Sequence, residues 1–81
     1  ALEYARKGIR VNSICPGFAA TAMAGDAIDD PKSEAYMTRG VPMRRLATIN
    51  EVVQAILWAA NPANSFTTGQ NIAVDGGVGA I

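Results

Sequence analysis

The chain offers few groups that could do chemistry. It contains no histidine, which removes imidazole bases, Ser-His-Asp and Cys-His sets and histidine-held metals. Catalytic residues and metal ligands are not assigned to any position. Its one thiol, Cys15, has no neighbouring base to activate it and reads as a small buried apolar residue. What remains is a set of groups suited to holding a ligand. Pro16-Gly17 ends an apolar, β-branched run, and open α/β sheets bind ligands at the carboxyl ends of their strands. Glycine there permits close backbone approach, or is simply a strand breaker. Thr21 either hydrogen-bonds a ligand or caps a short helix at 22–25. Met23, Ile28, Tyr36 and Met37 could line an apolar pocket, since methionine adapts to irregular shapes, or could pack internally.

Composition narrows the classes. The 81 residues carry seven basic and seven acidic side chains, so the net charge is zero. A nucleic-acid or acidic-membrane partner is not expected, because both call for a basic surplus. Apolar residues make up 49% and charged residues 17%, a globular rather than disordered balance. A single cysteine allows no internal disulfide. No apolar run approaches the roughly 20 residues that span a bilayer, and no signal-peptide layout opens the chain. The expectation is a soluble, cytoplasmic polypeptide. Below about 70–80 residues a single core rarely supplies more than ~3–5 kcal/mol, and this chain sits near that line.

The elements that must position these groups follow from local signals. Ala1-Leu2-Glu3-Tyr4-Ala5-Arg6-Lys7 is rich in helix formers, has its basic residues last and stops at Gly8. It has helix-end signals without start signals, as if the sequence began inside a helix. Residues 9–15 predict a strand, broken at Pro16-Gly17. Asp30-Pro31 predicts a short helix reaching about Arg39, with Gly40 as its stop. Thr48-Ile49-Asn50-Glu51 is a capping box. Ile49, Val52, Val53, Ile56 and Ala60 then recur at helical spacing up to Asn61-Pro62, with Trp58 off that stripe. Asn71-Ile72-Ala73-Val74 predicts a second strand, closed by a turn at Asp75-Gly76-Gly77. Asn12 reads as a structural hydrogen-bonding residue, and Arg44 and Arg45 as surface or capping groups. A strand, crossover helix and strand imply a parallel pair with a right-handed connection. Two strands do not make a stable open sheet, so the first strand's outer edge would lack a partner. Both signs point to a piece of a larger domain.

Several segments taken together resemble one family. They are Gly8-Ile9-Arg10-Val11-Asn12 leading to Pro16-Gly17, then Thr21-x-Met23, and Arg45-Leu46 before Glu51-Val52. Ser65-Phe66-Thr67-Thr68-Gly69-Gln70 and Val74-Asp75-Gly76-Gly77 follow. In this order and spacing they resemble the C-terminal part of the short-chain dehydrogenase/reductase family, over essentially the whole chain. The resemblance implies the C-terminal portion of a Rossmann-type, doubly wound parallel α/β sheet. The order would be helix end, strand, helical substrate lid over 22–47, helix, strand. It implies an NAD or NADP cofactor, with Pro16, Gly17, Phe18, Ala19 and Thr21 along the nicotinamide side. It implies a small alcohol or carbonyl substrate touching the lid residues Met23, Ile28, Tyr36 and Met37. It also implies a homo-oligomer, assembled through the Trp58 helix and the last strand.

The family's other motifs do not match. Its glycine-rich turn opens a helix, whereas Gly76-Gly77-Val78-Gly79 closes this sequence. Its acid/base pair is Tyr-x-x-x-Lys. Here Lys7 follows Tyr4 by three positions, and Gly40 follows Tyr36 by four. Before the capping box the family often has Gly-x-Pro-Glu-Glu, and this chain has Ala47-Thr48-Ile49-Asn50-Glu51. The 81 residues alone are therefore expected to be inactive. The rival expectation is a non-catalytic interaction module or a decayed remnant of such an enzyme.

Overall fold

The computed structural model describes residues 1–19 and 30–80. Thr21, Met23 and Ile28 lie outside the described residues. Two parallel strands, β1 (Ser13–Pro16) and β2 (Asn71–Val74), pair in register from Ser13 opposite Asn71 to Pro16 opposite Val74. Two helices, α1 (Pro31–Met37) and α2 (Ile49–Ala60), lie between them in sequence. This is a partial α/β layer with the strand–helix–strand order of a doubly wound sheet.

Local chemistry accounts for the helix ends. The Asp30 carboxylate accepts from the Lys32 N–H at 3.0 Å, and Pro31 occupies the first turn, where no N–H is needed. α1 stops at Met37, earlier than Arg39. Thr38 closes it: its N–H and its Oγ1 both donate to the Glu34 carbonyl, at 2.9 and 2.7 Å. The capping box of α2 is complete, with Thr48 Oγ1 accepting from the Glu51 N–H and Glu51 Oε1 from the Thr48 N–H. The helix ends at Ala60, and Asn61 redirects the chain into a 3-10 turn at Pro62–Asn64.

Three expectations are corrected. The opening segment forms a single 3-10 turn, Ala5–Lys7, rather than an α-helical end. Gly8 still closes it with φ of +76°. So short a run does not repay the cost of nucleating i→i−4 bonds. β1 begins at Ser13 rather than Ile9. Val11 does bond the facing chain, but to Thr68 Oγ1 and the Gly69 N–H. Gly69, at φ of +72°, turns that chain out of the ladder. Cys15 is exposed, not buried. It shares a strand face with Ser13, opposite to half-buried Ile14, and no described residue covers that face.

The core is small. Among the described residues only Thr38, Val41 and Leu46 are buried. They close a seam between the 38–47 segment and the carboxyl ends of the strands. α2 buries none of its residues, and Ile49, Val53, Ile56, Leu57 and Trp58 are all exposed. The accessible surface is 6058 Å² for 8.4 kDa, against roughly 4,600 Å² for a compact monomer of that mass. The Cα radius of gyration of 15.4 Å likewise exceeds the ~12 Å of a compact domain of this length.

Candidate functional site

The carboxyl ends of both strands meet one seam. The Gly17 N–H donates to the Val74 carbonyl at 3.0 Å, extending the ladder one residue past β1. A Cβ on Gly17 would sit 3.0 Å from the Asp75 Cα. The close approach that this glycine permits is thus to the protein's own backbone. Beyond it, the Phe18 carbonyl accepts from the Ala47 N–H at 2.9 Å, and Ala19 bridges Ala47 in parallel. The 45–47 segment therefore runs alongside the chain leaving β1 and fixes its direction.

Asp75 organises the other strand end. Its carboxylate accepts from the Gly77 and Gly79 N–H groups, each at 3.0 Å. Gly76 (φ +64°) and Gly77 (φ +99°) supply the left-handed backbone that this turn requires. A Cβ on Gly76 would fall 2.7 Å from Val41 Cγ1. The expected turn at Asp75-Gly76-Gly77 is present and is held against the 41–43 segment, where the Met43 N–H donates to the Gly76 carbonyl.

An open groove of about 510 Å³ lies beside this seam, lined by Phe18, Tyr36, Met37, Arg39, Gly40, Val41 and Val78. Three residues singled out from sequence thus share one groove: Phe18 from the cofactor set, Tyr36 and Met37 from the substrate set. Pro16, Gly17 and Ala19 stand at the strand end without lining it. The Arg39 guanidinium stacks over the Tyr36 ring at 3.9 Å from its centroid, and its Nη1 donates to the Tyr36 carbonyl at 2.7 Å. The groove wall is otherwise apolar.

The groups whose acidity is shifted belong to helix starts rather than to the groove. Arg45 donates to both Glu51 carboxylate oxygens, at 2.7 and 2.9 Å. That contact, with the Thr48 N–H second, lowers the Glu51 pKa to about 2. The same carboxylate raises that of Arg45. Asp30 is lowered by the Lys32 N–H and then by the Ser33 hydroxyl. Among the described residues no His/Cys/Asp/Glu cluster could hold a metal, and no helix is long and apolar enough to cross a membrane.

Two positioning residues escape the sequence reading. Arg10 Nη1 donates to the Ala59 and Thr67 carbonyls at 2.9 and 3.2 Å, and its Nη2 to the Asn61 carbonyl at 3.3 Å. It ties the approach to β1 onto the open end of α2. The available signal was that α2 has no basic residue in its last turn. Glu34 Oε1 accepts from the Leu46 N–H at 3.2 Å, locking α1 to the seam. Asn12 behaves as expected: its side chain donates to the Thr67 carbonyl and accepts from the Gln70 N–H, each at 3.0 Å.

A parallel strand pair joined through helices is the arrangement of an α/β unit. Comparison with known proteins assigns it more narrowly. Residues 1–79 match the model of the enoyl-(acyl carrier protein) reductase family. The chain is 41% identical over 78 residues to the short-chain dehydrogenase srdC of Neurospora crassa, covering 95% of this chain and 29% of that protein. It is 40% identical over 78 residues to a glucose 1-dehydrogenase of Gluconobacter oxydans, covering 96% and 29% respectively. A gluconate 5-dehydrogenase of Burkholderia cenocepacia, solved with NADP and tartrate, superposes with a TM-score of 0.83 at 29% identity. That match covers 99% of this chain and 31% of that one. The chain belongs to the short-chain dehydrogenase/reductase family of oxidoreductases. It spans about 30% of the length of the relatives it matches.

Proposed function

We propose that this chain is the C-terminal part of an NAD(P)-dependent oxidoreductase domain that moves a hydride between nicotinamide and an alcohol/carbonyl pair. Its share is the wall on the nicotinamide side and the substrate lid over 22–47. The observation that carries this is the groove in which Phe18, at the end of β1, meets Tyr36 and Met37. An open, largely apolar groove at a strand's carboxyl end suits a flat aromatic amide. The described residues fit only that end of a dinucleotide. They hold no glycine-rich turn leading into a long helix, which a diphosphate needs. When bound, the cofactor would supply or accept the hydride. The chain's own part is to border the ring with Pro16, Gly17, Phe18 and Ala19 and to hydrogen-bond it through Thr21. Tyr36 and Met37, with Met23 and Ile28, would keep water from the reacting face.

Proton transfer needs an acid/base in contact with the substrate oxygen. No tyrosine here has a lysine at the spacing that would tune it, so the isolated chain is proposed to be inactive. Assembly through the Trp58 helix and the last strand belongs to the same proposal. The test is a hybrid in which residues 1–81 replace the matching third of the Burkholderia gluconate 5-dehydrogenase. Binding of NADPH by the hybrid supports the reading, and so does its weakening by Thr21→Ala. A folded hybrid that ignores NADPH favours the non-catalytic module. Turnover by the free chain would overturn the inactivity.

A further inference from the structure

We propose that Arg39 sets the substrate specificity of the groove beside the seam by selecting a substrate that carries a carboxylate, an oxo acid or hydroxy acid with an apolar body. The inference rests on the functional reading above and adds the chemical class of the substrate. The groove, of about 510 Å³, has the size of a small-molecule site. Phe18, Tyr36, Met37, Val41 and Val78 give it apolar walls. Among the described residues that line it, only Arg39 carries a charge.

The guanidinium is held in place but not consumed. Its carbon lies 3.9 Å from the centroid of the Tyr36 ring, and its Nη1 donates to the Tyr36 carbonyl at 2.7 Å. Tyr36, part of α1, thus fixes it by both ring and backbone. A ring contact engages the face of a guanidinium, whereas its N–H groups lie in the plane. Arginine has five such donors, and among the described residues Arg39 commits only Nη1. The other two cavity-lining arginines differ. Arg10 gives its donors to the Ala59, Asn61 and Thr67 carbonyls. Arg45 closes on both oxygens of Glu51. Both are structural ties, whereas Arg39 forms no ion pair among the described residues.

The apolar walls sharpen the choice of ligand. A cation that gives up water against such a surface needs compensation. A carboxylate supplies it through two parallel, charge-assisted hydrogen bonds that match the guanidinium fork. A neutral ligand leaves the charge uncompensated and a cationic one is repelled, so both are selected against. Because Tyr36 already orders the side chain, less rotamer entropy is lost on binding. The walls take the hydrocarbon part of the substrate. A phosphate would also fit the fork, and a dinucleotide carries phosphates, so the two sources must be separated by experiment.

The test uses the hybrid described above, with phenylglyoxylate as the acid probe and its neutral methyl ester as the matched control. Calorimetry reads the Kd of each with and without NADP, and a separate titration reads NADPH. Every variant shares one scaffold, so contributions from the scaffold's own residues cancel. Expected is tighter binding of the acid than of the ester. Arg39→Gln should weaken the acid by about 10- to 100-fold, the scale of a charge-assisted pair, and leave the ester and NADPH unchanged. Arg39→Lys keeps the charge without the fork and should recover part of that loss. Tyr36→Leu removes the ring but keeps the backbone carbonyl, and should weaken the acid less than Arg39→Gln does. Arg44→Gln removes an equal charge from an exposed position outside the groove lining and should change nothing. Equal losses for acid and ester in Arg39→Gln overturn the proposal, because a merely structural arginine would act on both. An equally large loss in Arg44→Gln overturns it too. So does weaker NADPH binding in Arg39→Gln with the acid unaffected, the mark of a contact to a cofactor phosphate. A hybrid that binds NADPH without preferring the acid removes this inference and leaves the functional reading. A hybrid that prefers the acid through Arg39 but ignores NADPH leaves the carboxylate site standing and removes the cofactor role.

Discussion

The two sides of β1 are built to different degrees of completion. At its carboxyl end, Gly17, Asp75, Gly76 and the 38–47 segment interlock, and all three buried residues of the described chain lie along that seam. At its outer edge, Ile14 and Ile56 stay part-exposed over an open groove. The seam is made by segments that this chain itself contains. The groove has the chemistry of an interior and the exposure of a surface. The difference separates a part held by this chain's own contacts from a part that those contacts leave exposed.

The comparison breaks first at Gly76. Its left-handed φ costs any side chain roughly 1–2 kcal/mol, and overpacking against Val41 costs a further ~1–3 kcal/mol. Gly76→Ala should therefore lower stability in urea by about 2–5 kcal/mol, more than any other single change here. Next, Val41→Ala should cost about 2 kcal/mol in both the free chain and the hybrid. Ile56→Ala should cost that much in the hybrid but stay within ~0.5 kcal/mol in the free chain. Equal losses at Ile56 in the two contexts would erase the distinction. Thr48→Ala, which removes the cap of α2, should cost about 1 kcal/mol in either context.

The smallest effect is electrostatic. The folded-state pKa of Glu51, about 2, lies below its ordinary value of 4.5. A depressed carboxylate stabilises the fold above the unfolded pKa, and that contribution fades as pH falls from 4.5 toward 2. Glu51→Gln should flatten this part of a Tm-against-pH curve. Because the pair with Arg45 is exposed, salt should flatten it too.

Local signals made much of the seam legible. The Thr48 capping box, the Asp30-Pro31 start, the Asn12 bridge and the Asp75 turn each involve residues whose side chains bond nearby backbone. Such residues announce their role by type and spacing. Cys15 and residues 9–12 were misread because strand length and burial depend on what lies across the ladder, which composition does not record. Arg10 was missed because its three carbonyl partners are about fifty or more positions away. At the groove, residue type suggested apolar lining for Tyr36 and Met37, but their meeting with Phe18 is a product of tertiary structure. The strand–helix–strand order already implied the parallel pair, whereas the expected cofactor class came from the family resemblance alone.

The most direct test is an NADPH fluorescence titration of the hybrid, beside the same titration of its Thr21→Ala variant. The account predicts saturable binding by the hybrid, weakened by about tenfold when the threonine hydroxyl is removed, the scale of one hydrogen bond. A folded hybrid that shows no NADPH binding would contradict it.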